Sequence, residues 1–364
     1  MNRIIFGGGF NPIHLGHINM ALIARDVLNA KVVFVPAKVA IWKNESISVE
    51  HKINMLKLAI EEYKDFSIDL FEITAKEQPY SIETIKYFKK KYPKDRLFLL
   101  IGQDQVNSFH LWKKPEEIAE LAQIVYFKRP KYSLNQENVD KYHMQAIEGS
   151  VVDVSSSDIR ELKSIMVPEK VLKYIEDNSI YFINKVKGYM KESRFNHSLS
   201  VAHLAYDIAK KHQLDYRKAY IAGILHDIAK DMDKTQSMAM MKQFYPDFVD
   251  IGAFAYHQFL GEKLAKEDFG VVDEEILGAI KYHTTGKADM NWLEKLIYAS
   301  DKIDPNRDYD SSDLISAMEK GLEEGFLTVL EANRDFLLKK HKDINNRLTE
   351  ECFKFYLELA QNHD

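Results

Sequence analysis

Cysteine is nearly absent from this 364-residue chain, and the single Cys352 excludes an intrachain disulfide framework as a source of stability. No apolar run approaches the length of a membrane-spanning helix, so a membrane role finds no support. The opening MNRIIFGGGF leaves no room for a long apolar signal core before its glycines, and the chain is expected to be cytoplasmic. A net charge of -5 within a charged fraction of 29% gives a mixed surface with no broad basic face. Nucleic acid is therefore not expected as the main partner, although local basic pockets for nucleotides remain open. Also missing are a Gly/Ser-rich or Pro-rich linker, an internal repeat and a low-complexity stretch.

What is present divides by texture near residue 184. Before it, short β-rich runs at 3–6, 32–35, 66–73, 96–101 and 124–127 alternate with helical patterns such as 51–63 and 82–92. That alternation predicts βαβ units and a parallel sheet covered by helices on both faces, a Rossmann-like α/β fold. After it, strand signals stop and helix-period runs follow one another at 198–211, 217–230, 253–267, 274–282 and 291–302, so the second half is expected to be all-α. The chain is also longer than one core usually holds. Two domains are expected, 1–183 and 184–364, with the boundary within 183–188. The polar stretch 131–145 reads as loop, and the tail 311–364 as a helical packing or dimer element.

The first chemical signal is GGGFNPIHLGH at residues 7–17, directly after a strand. Gly7, Gly8 and Gly9 let the backbone approach a nucleotide closely, Phe10 after them is a further nucleotide-binding candidate, and Asn11-Pro12 turns the chain into a helix start near His17. Free N–H groups and the positive dipole end make that start an anion site. His14 and His17, three apart, can face the same phosphates, with Gly16 keeping the space between them open.

This string resembles the H-x-G-H motif of the nucleotidyltransferase superfamily. The run LLIGQDQVNSFHLWKKPEEI at 99–118, the lysine-bearing VPAKVAIWK at 35–43, VSSSDIR at 154–160 and HKINMLKLAI are similar to bacterial nicotinate mononucleotide adenylyltransferases over about residues 1–183. The resemblance implies that AMP passes from ATP to nicotinate mononucleotide, giving deamido-NAD and pyrophosphate. It further implies His14 and His17 on the triphosphate, Lys43 and Arg160 on β- and γ-phosphate oxygens, and Ser156 and Ser157 capping the helix that presents Arg160. Asp104 would lie in the nucleotide site, Trp112 would stack on the pyridine ring, and Mg²⁺ would arrive with ATP. Two departures stand at the mononucleotide end: Gly9 replaces the usual Ser or Thr, and the loop reads AIWK where the family commonly has PPHK. Another adenylyl- or cytidylyltransferase with the same core remains an alternative.

The second signal is His197, His226-Asp227 and Asp301 in apolar helical contexts such as AYIAGILHDIAK. A carboxylate there is costly unless a cation or strong donors compensate it, so the set points to metal ligation. Its order resembles the HD-domain metal-dependent phosphohydrolases. His257, His283 and the segments RFNHS, YHTTGKADM and YASDKIDPNR make 188–310 similar to the symmetrical diadenosine tetraphosphate hydrolases. Such a set could hold two ions: His197, His226, Asp227 and Asp301 around one, and His257, His283 and a bridging Asp227 around the other. Imidazole and carboxylate without thiolate suit iron, manganese or zinc. Arg194, Lys230 and Arg307 are candidates for the remaining phosphates. Guanosine polyphosphates or nucleoside monophosphates as substrates, a silent dimerisation module, and a homo-oligomeric state all stay open.

Overall fold

Alternation of short apolar strands with helices builds a six-stranded sheet in the computed structural model, which describes residues 1–38, 47–128, 133–307, 309–340 and 346–358. The strands are β1 (Asn2–Gly8), β2 (Ala30–Pro36), β3 (Phe66–Ile68), β4 (Arg96–Ile101), β5 (Gln123–Phe127) and β6 (Gln145–Ile147). Their order is β3-β2-β1-β4-β5-β6, and every pairing is parallel. The order of strand addition therefore reverses between β1 and β4, which opens a crevice at the carboxyl ends of these two strands. Gly8 ends one and Ile101 the other, so the glycine string and the IGQD segment meet there. Ile4, Val32, Phe34, Val35 and Ile124 are fully buried, as expected for strands covered on both faces.

Two strand expectations need correction. The run 66–73 is a strand only to Ile68, because the Asp69 carboxylate accepts the Phe71 amide at 2.9 Å and turns the chain into the short helix Phe71–Thr74. The polar stretch 131–145 holds helix Gln136–Lys141, capped by Asn135, and leads into β6. Asn138 is buried and donates to the Val106 carbonyl at 2.8 Å, so one polar residue of this stretch satisfies backbone in the core while its neighbours face solvent.

The chain folds as two compact units: Met1–Arg160 with Met166–Tyr181, and Glu161–Ile165 with Phe182–Asp364. The second unit is helical throughout its described residues. Helices Glu192–Lys211 and Tyr216–Leu225 pack closely because Gly223 has no Cβ; one added there would stand 2.6 Å from the Ala202 Cα. Helices Tyr256–Glu267, Glu274–Tyr282 and Trp292–Lys302 complete the core. The tail packs within its own unit: Tyr356 accepts from the Met290 amide at 2.5 Å, Thr349 donates to the Thr285 carbonyl at 3.4 Å, and Cys352 is buried. Among the described residues no helix is long and apolar enough to cross a membrane.

Candidate active sites

His14 is the N-cap of helix Leu15–Leu28, and its ring closes a reciprocal cap with His17. Each Nδ1 accepts the other residue's backbone N–H at 3.3 Å, and the rings stack with centroids 3.6 Å apart. An Nδ1 that accepts leaves the proton on Nε2, so both imidazoles are set as Nε2–H donors at a helix N-terminus. Gly16 permits this arrangement: a Cβ would stand 2.9 Å from the Val152 carbonyl and 3.0 Å from His14 Nδ1. Phe10 is held at φ 43, in the left-handed region, and packs edge-on to His17 at 5.0 Å.

Arg160 is drawn to this loop from the far end of the unit. Its Nη1 donates to the Asn11 carbonyl at 2.6 Å and its Nη2 to Ser157 Oγ at 2.9 Å. The expected capping by Ser156 and Ser157 is corrected. Ser155 precedes the first helical residue and accepts from the Asp158 amide at 3.1 Å, whereas Ser156 donates to the Pro12 carbonyl at 2.9 Å and Ser157 holds Arg160. Asp104 lies in the first turn after β4, folded back over Gly102. Lys43 lies outside the described residues.

Gly7, Gly8 and Gly9 line a cavity of about 470 Å³ together with the half-buried Trp112. A Cβ on Gly7 or Gly9 would meet no protein atom, so the space beside them is left to a ligand. The opposite wall, unread from the sequence, carries Glu72, Gln78, Tyr80 and Thr84. Glu72 accepts from Thr84 Oγ1 and Gln78 Nε2, both at 2.7 Å. Glu72 comes from the short helix Phe71–Thr74 and Tyr80 and Thr84 from the start of helix Ser81–Lys91, with Gln78 between them, so no single periodicity joins them.

Burial pushes the Glu72 carboxyl above its ordinary 4.5, and the bonds from Thr84 and Gln78 only partly offset this. A raised acid contributes stability that is complete below the unfolded value and lost as pH rises through the folded one. Glu72→Gln is therefore expected to lose less thermal stability than the parent as pH rises above the ordinary carboxylate range, whatever constant penalty the substitution brings. Parallel melting curves with the same pH dependence would contradict this.

In the second unit all six sequence-predicted ligands converge. His197 lies on helix Glu192–Lys211, His226-Asp227 follow helix Tyr216–Leu225, and His257 opens helix Tyr256–Glu267. His283 follows helix Glu274–Tyr282, and Asp301 nears the end of helix Trp292–Lys302. Two groups have ligand atoms within 4.8 Å of one another, His197, His226 and Asp227, and Asp227, His257 and His283. Asp227 belongs to both, and Asp301 Oδ1 stands 3.1 Å from His197 Nε2 and 3.8 Å from His226 Nε2. His226 Nδ1 and His283 Nδ1 each bond a carbonyl of their own helix, Gly223 and Ile280, at 2.7 Å. That fixes the tautomer and turns both Nε2 atoms inward. His226 Nε2 is buried and makes no hydrogen bond among the described residues, a demand that a coordinated cation would satisfy.

The electrostatics agree with ligand duty. Burial pushes His226 down to about 4 and His257 well below its ordinary value. Burial opposes ionisation of Asp227 and Asp301, yet the imidazoles around Asp227, and Lys302 with His197 beside Asp301, hold both carboxyls well below the usual range. Neutral imidazole and ionised carboxylate are the forms that bind metals. Burial also disfavours charge on His197, but hydrogen bonds to Asp301 and Asp304 raise it to about 9, so a cation bound there would displace a proton.

Arg194 donates to Asp227 Oδ2 at 2.6 Å, Arg307 to Asp301 Oδ1 at 2.7 Å, and Lys230 Nζ stands 3.0 Å from His257 Nε2. All three cations thus border the ligand set. Sequence reading missed Asp304, whose buried carboxylate accepts from His197 Nδ1 at 2.6 Å and from Ser200 at 2.5 Å. Its signal was available: Asp304 follows Asp301 by three residues in the same YASDKIDPNR segment. Thr284, whose hydroxyl lies 3.0 Å from the Nε2 atoms of His257 and His283, was also missed.

The Cytidylyltransferase-like family matches residues 5–162 and the HD domain family residues 194–306. The chain is similar to the "Probable nicotinate-nucleotide adenylyltransferase/Ap4A hydrolase" of Mycoplasma genitalium, 30% identical over 342 residues, 90% of this chain and 96% of that protein. It is also similar to the "Probable nicotinate-nucleotide adenylyltransferase" of Aquifex aeolicus, 46% identical over 132 residues, 35% of this chain and 77% of that one. Among solved structures, a predicted HD superfamily hydrolase involved in NAD metabolism from Clostridium acetobutylicum is 29% identical with a TM-score of 0.45, covering 48% of this chain and 95% of that chain. Matched along nearly all of the Mycoplasma relative, and carrying a cytidylyltransferase-like unit ahead of an HD unit, the chain belongs to that two-unit family.

Proposed function

We propose that the first unit transfers AMP from ATP to nicotinate mononucleotide and that the second hydrolyses diadenosine tetraphosphate to two ADP. The first half is carried by the paired imidazoles at the β1 carboxyl end, beside a cavity with an aromatic wall. The acceptor phosphate attacks the α-phosphorus of ATP and pyrophosphate leaves, so the protein supplies position and charge rather than a nucleophile. His14 and His17 donate from Nε2 to the triphosphate, and Arg160 with Lys43 takes β- and γ-oxygens. Asp104 orients the nucleotide, Trp112 stacks on the pyridine ring, and Mg²⁺ enters with ATP on phosphate and water ligands. An acceptor panel run with ATP and with CTP tests this reading. Nicotinate mononucleotide with ATP should be preferred, and a preference for CTP or another acceptor would displace it.

The second half is carried by Asp227, which belongs to both groups of inward-facing ligands. Iron or manganese ions held there would supply a hydroxide and a clamp on phosphate oxygens. The chain's own part is to seat the polyphosphate: Arg194 and Lys230 border Asp227 and His257, and Arg307 borders Asp301. Asp304 holds the His197 ring in place. Cations on more than one side of the shared carboxylate favour seating a central phosphate over Asp227. ADP is then the expected initial product by chromatography, and equal initial ATP and AMP would refute symmetrical cleavage. No turnover with added iron, manganese or cobalt would favour a silent module or another substrate.

A further inference from the structure

We infer that Thr284 belongs to the second ligand group of the His/Asp cluster, where its hydroxyl oxygen is a further donor to a divalent cation beside Asp227, His257 and His283. The inference rests on the metal-dependent reading of that unit and deepens it by a residue type that a His/Asp motif does not contain.

The recognised ligand atoms of this group already converge. Asp227 Oδ1 lies 3.3 Å from His257 Nε2 and 3.4 Å from His283 Nε2, and the two Nε2 atoms are 3.1 Å apart. Thr284 Oγ1 lies 3.0 Å from each of those Nε2 atoms. Donors about 2.1 Å from one ion stand about 3.0 Å apart in an octahedral arrangement and about 3.4 Å apart in a tetrahedral one. All these separations match the edges of such a polyhedron, so the hydroxyl oxygen is spaced as a fourth donor. Thr284 Oγ1 bonds nothing besides the two imidazoles among the described residues, so its lone pairs are not spent on a helix cap or a turn. The Lys230 ammonium stands 3.0 Å from His257 Nε2, so the chain itself already brings positive charge to this place.

The surrounding residues hold the hydroxyl there. Gln258, fully buried and next to His257, accepts the backbone amides of Thr284 and Thr285 on Oε1, both at 3.2 Å. Its Nε2 donates to Thr285 Oγ1 at 3.1 Å. One buried amide therefore fixes the turn that follows His283 and sets Thr284 against both imidazoles. Because Gln258 bonds the Thr284 backbone and not its side chain, the hydroxyl can be removed while the turn stays pinned. A hydroxyl is a hard oxygen donor, which suits manganese better than a soft, thiolate-seeking ion.

The test uses the full chain, stripped of metal and titrated calorimetrically with manganese, with ions per chain counted by elemental analysis. The parent should bind two ions. Thr284→Val keeps the shape and removes the oxygen, and it should weaken one of the two by about tenfold or more, the least expected when a group beside a metal ligand is lost. The other ion and adenylyl transfer should stay at parental levels, and Thr284→Ser should restore the pair. Both ions at parental affinity in Thr284→Val would overturn the inference, as would a Thr284→Ser protein that loses as much as Thr284→Val. A parent that takes up fewer than two ions would sink it together with the two-ion reading. A parent that binds two ions, one of them lost in Thr284→Val and kept in Thr284→Ser, yet leaves diadenosine tetraphosphate intact, would sink the hydrolase reading and leave Thr284 in the ligand group.

Discussion

Asp227→Ala is expected to abolish hydrolysis and strip the second unit of bound metal, while adenylyl transfer stays within a few-fold of the parent. Asp227 is the carboxylate shared by both ligand groups, so its loss opens both at once. It also removes the partner of Arg194 and leaves a buried cluster of imidazoles without its central anion. Removing one partner of a buried pair costs about 3–5 kcal/mol, so local unfolding must be separated from lost ligation. Asp227→Asn keeps the volume and serves as the control. It should fold, retain transfer and still lose metal and hydrolysis, because an amide oxygen is a far weaker ligand than a carboxylate. Loss of transfer in a folded Asp227 variant would instead indicate one composite site.

The reciprocal result is expected from His17→Ala. Deamido-NAD synthesis should fall by about 10²-fold or more, the effect of deleting one preorganised donor at the point of developing charge. The His17 ring also accepts the His14 amide and stacks on the His14 ring, so the substitution loosens the second donor as well. The helix cap loses one of its two reciprocal bonds, at a cost of about 1 kcal/mol, too little to unfold the unit. Hydrolysis by the second unit should be unaffected. A folded His17→Ala protein with near-parental synthesis would remove the first assignment.

Much of this was legible because the relevant signals are local in sequence. Strand, glycine string and helix start adjoin one another in residues 2–17, and the six HD residues sit on or beside helices in apolar contexts. What escaped was set by contacts between distant segments or by polar residues turned inward. β6 and its preceding helix were hidden because 131–145 is polar, yet Asn138 spends its amide on buried backbone. Asp69 cut β3 short through a single side-chain bond that an apolar count does not register. The Glu72, Gln78 and Thr84 wall exists only once the sheet brings its connections together, and Ser155 rather than its neighbours caps because the helix begins earlier than the motif suggests, at Ser156 itself. The role of Asp304 depends on the ring of His197, more than a hundred residues earlier in the chain.

The central claim is that one polypeptide carries two complete and separable active sites. Its most direct test is product analysis of a single homogeneous preparation, incubated with ATP plus nicotinate mononucleotide and, separately, with diadenosine tetraphosphate and a divalent metal. Deamido-NAD with pyrophosphate from the first incubation and ADP alone from the second are the predicted products, with His17→Ala losing only the first reaction and Asp227→Ala only the second. A preparation that runs one reaction but not the other, or variants that lose both together while folded, would contradict the claim.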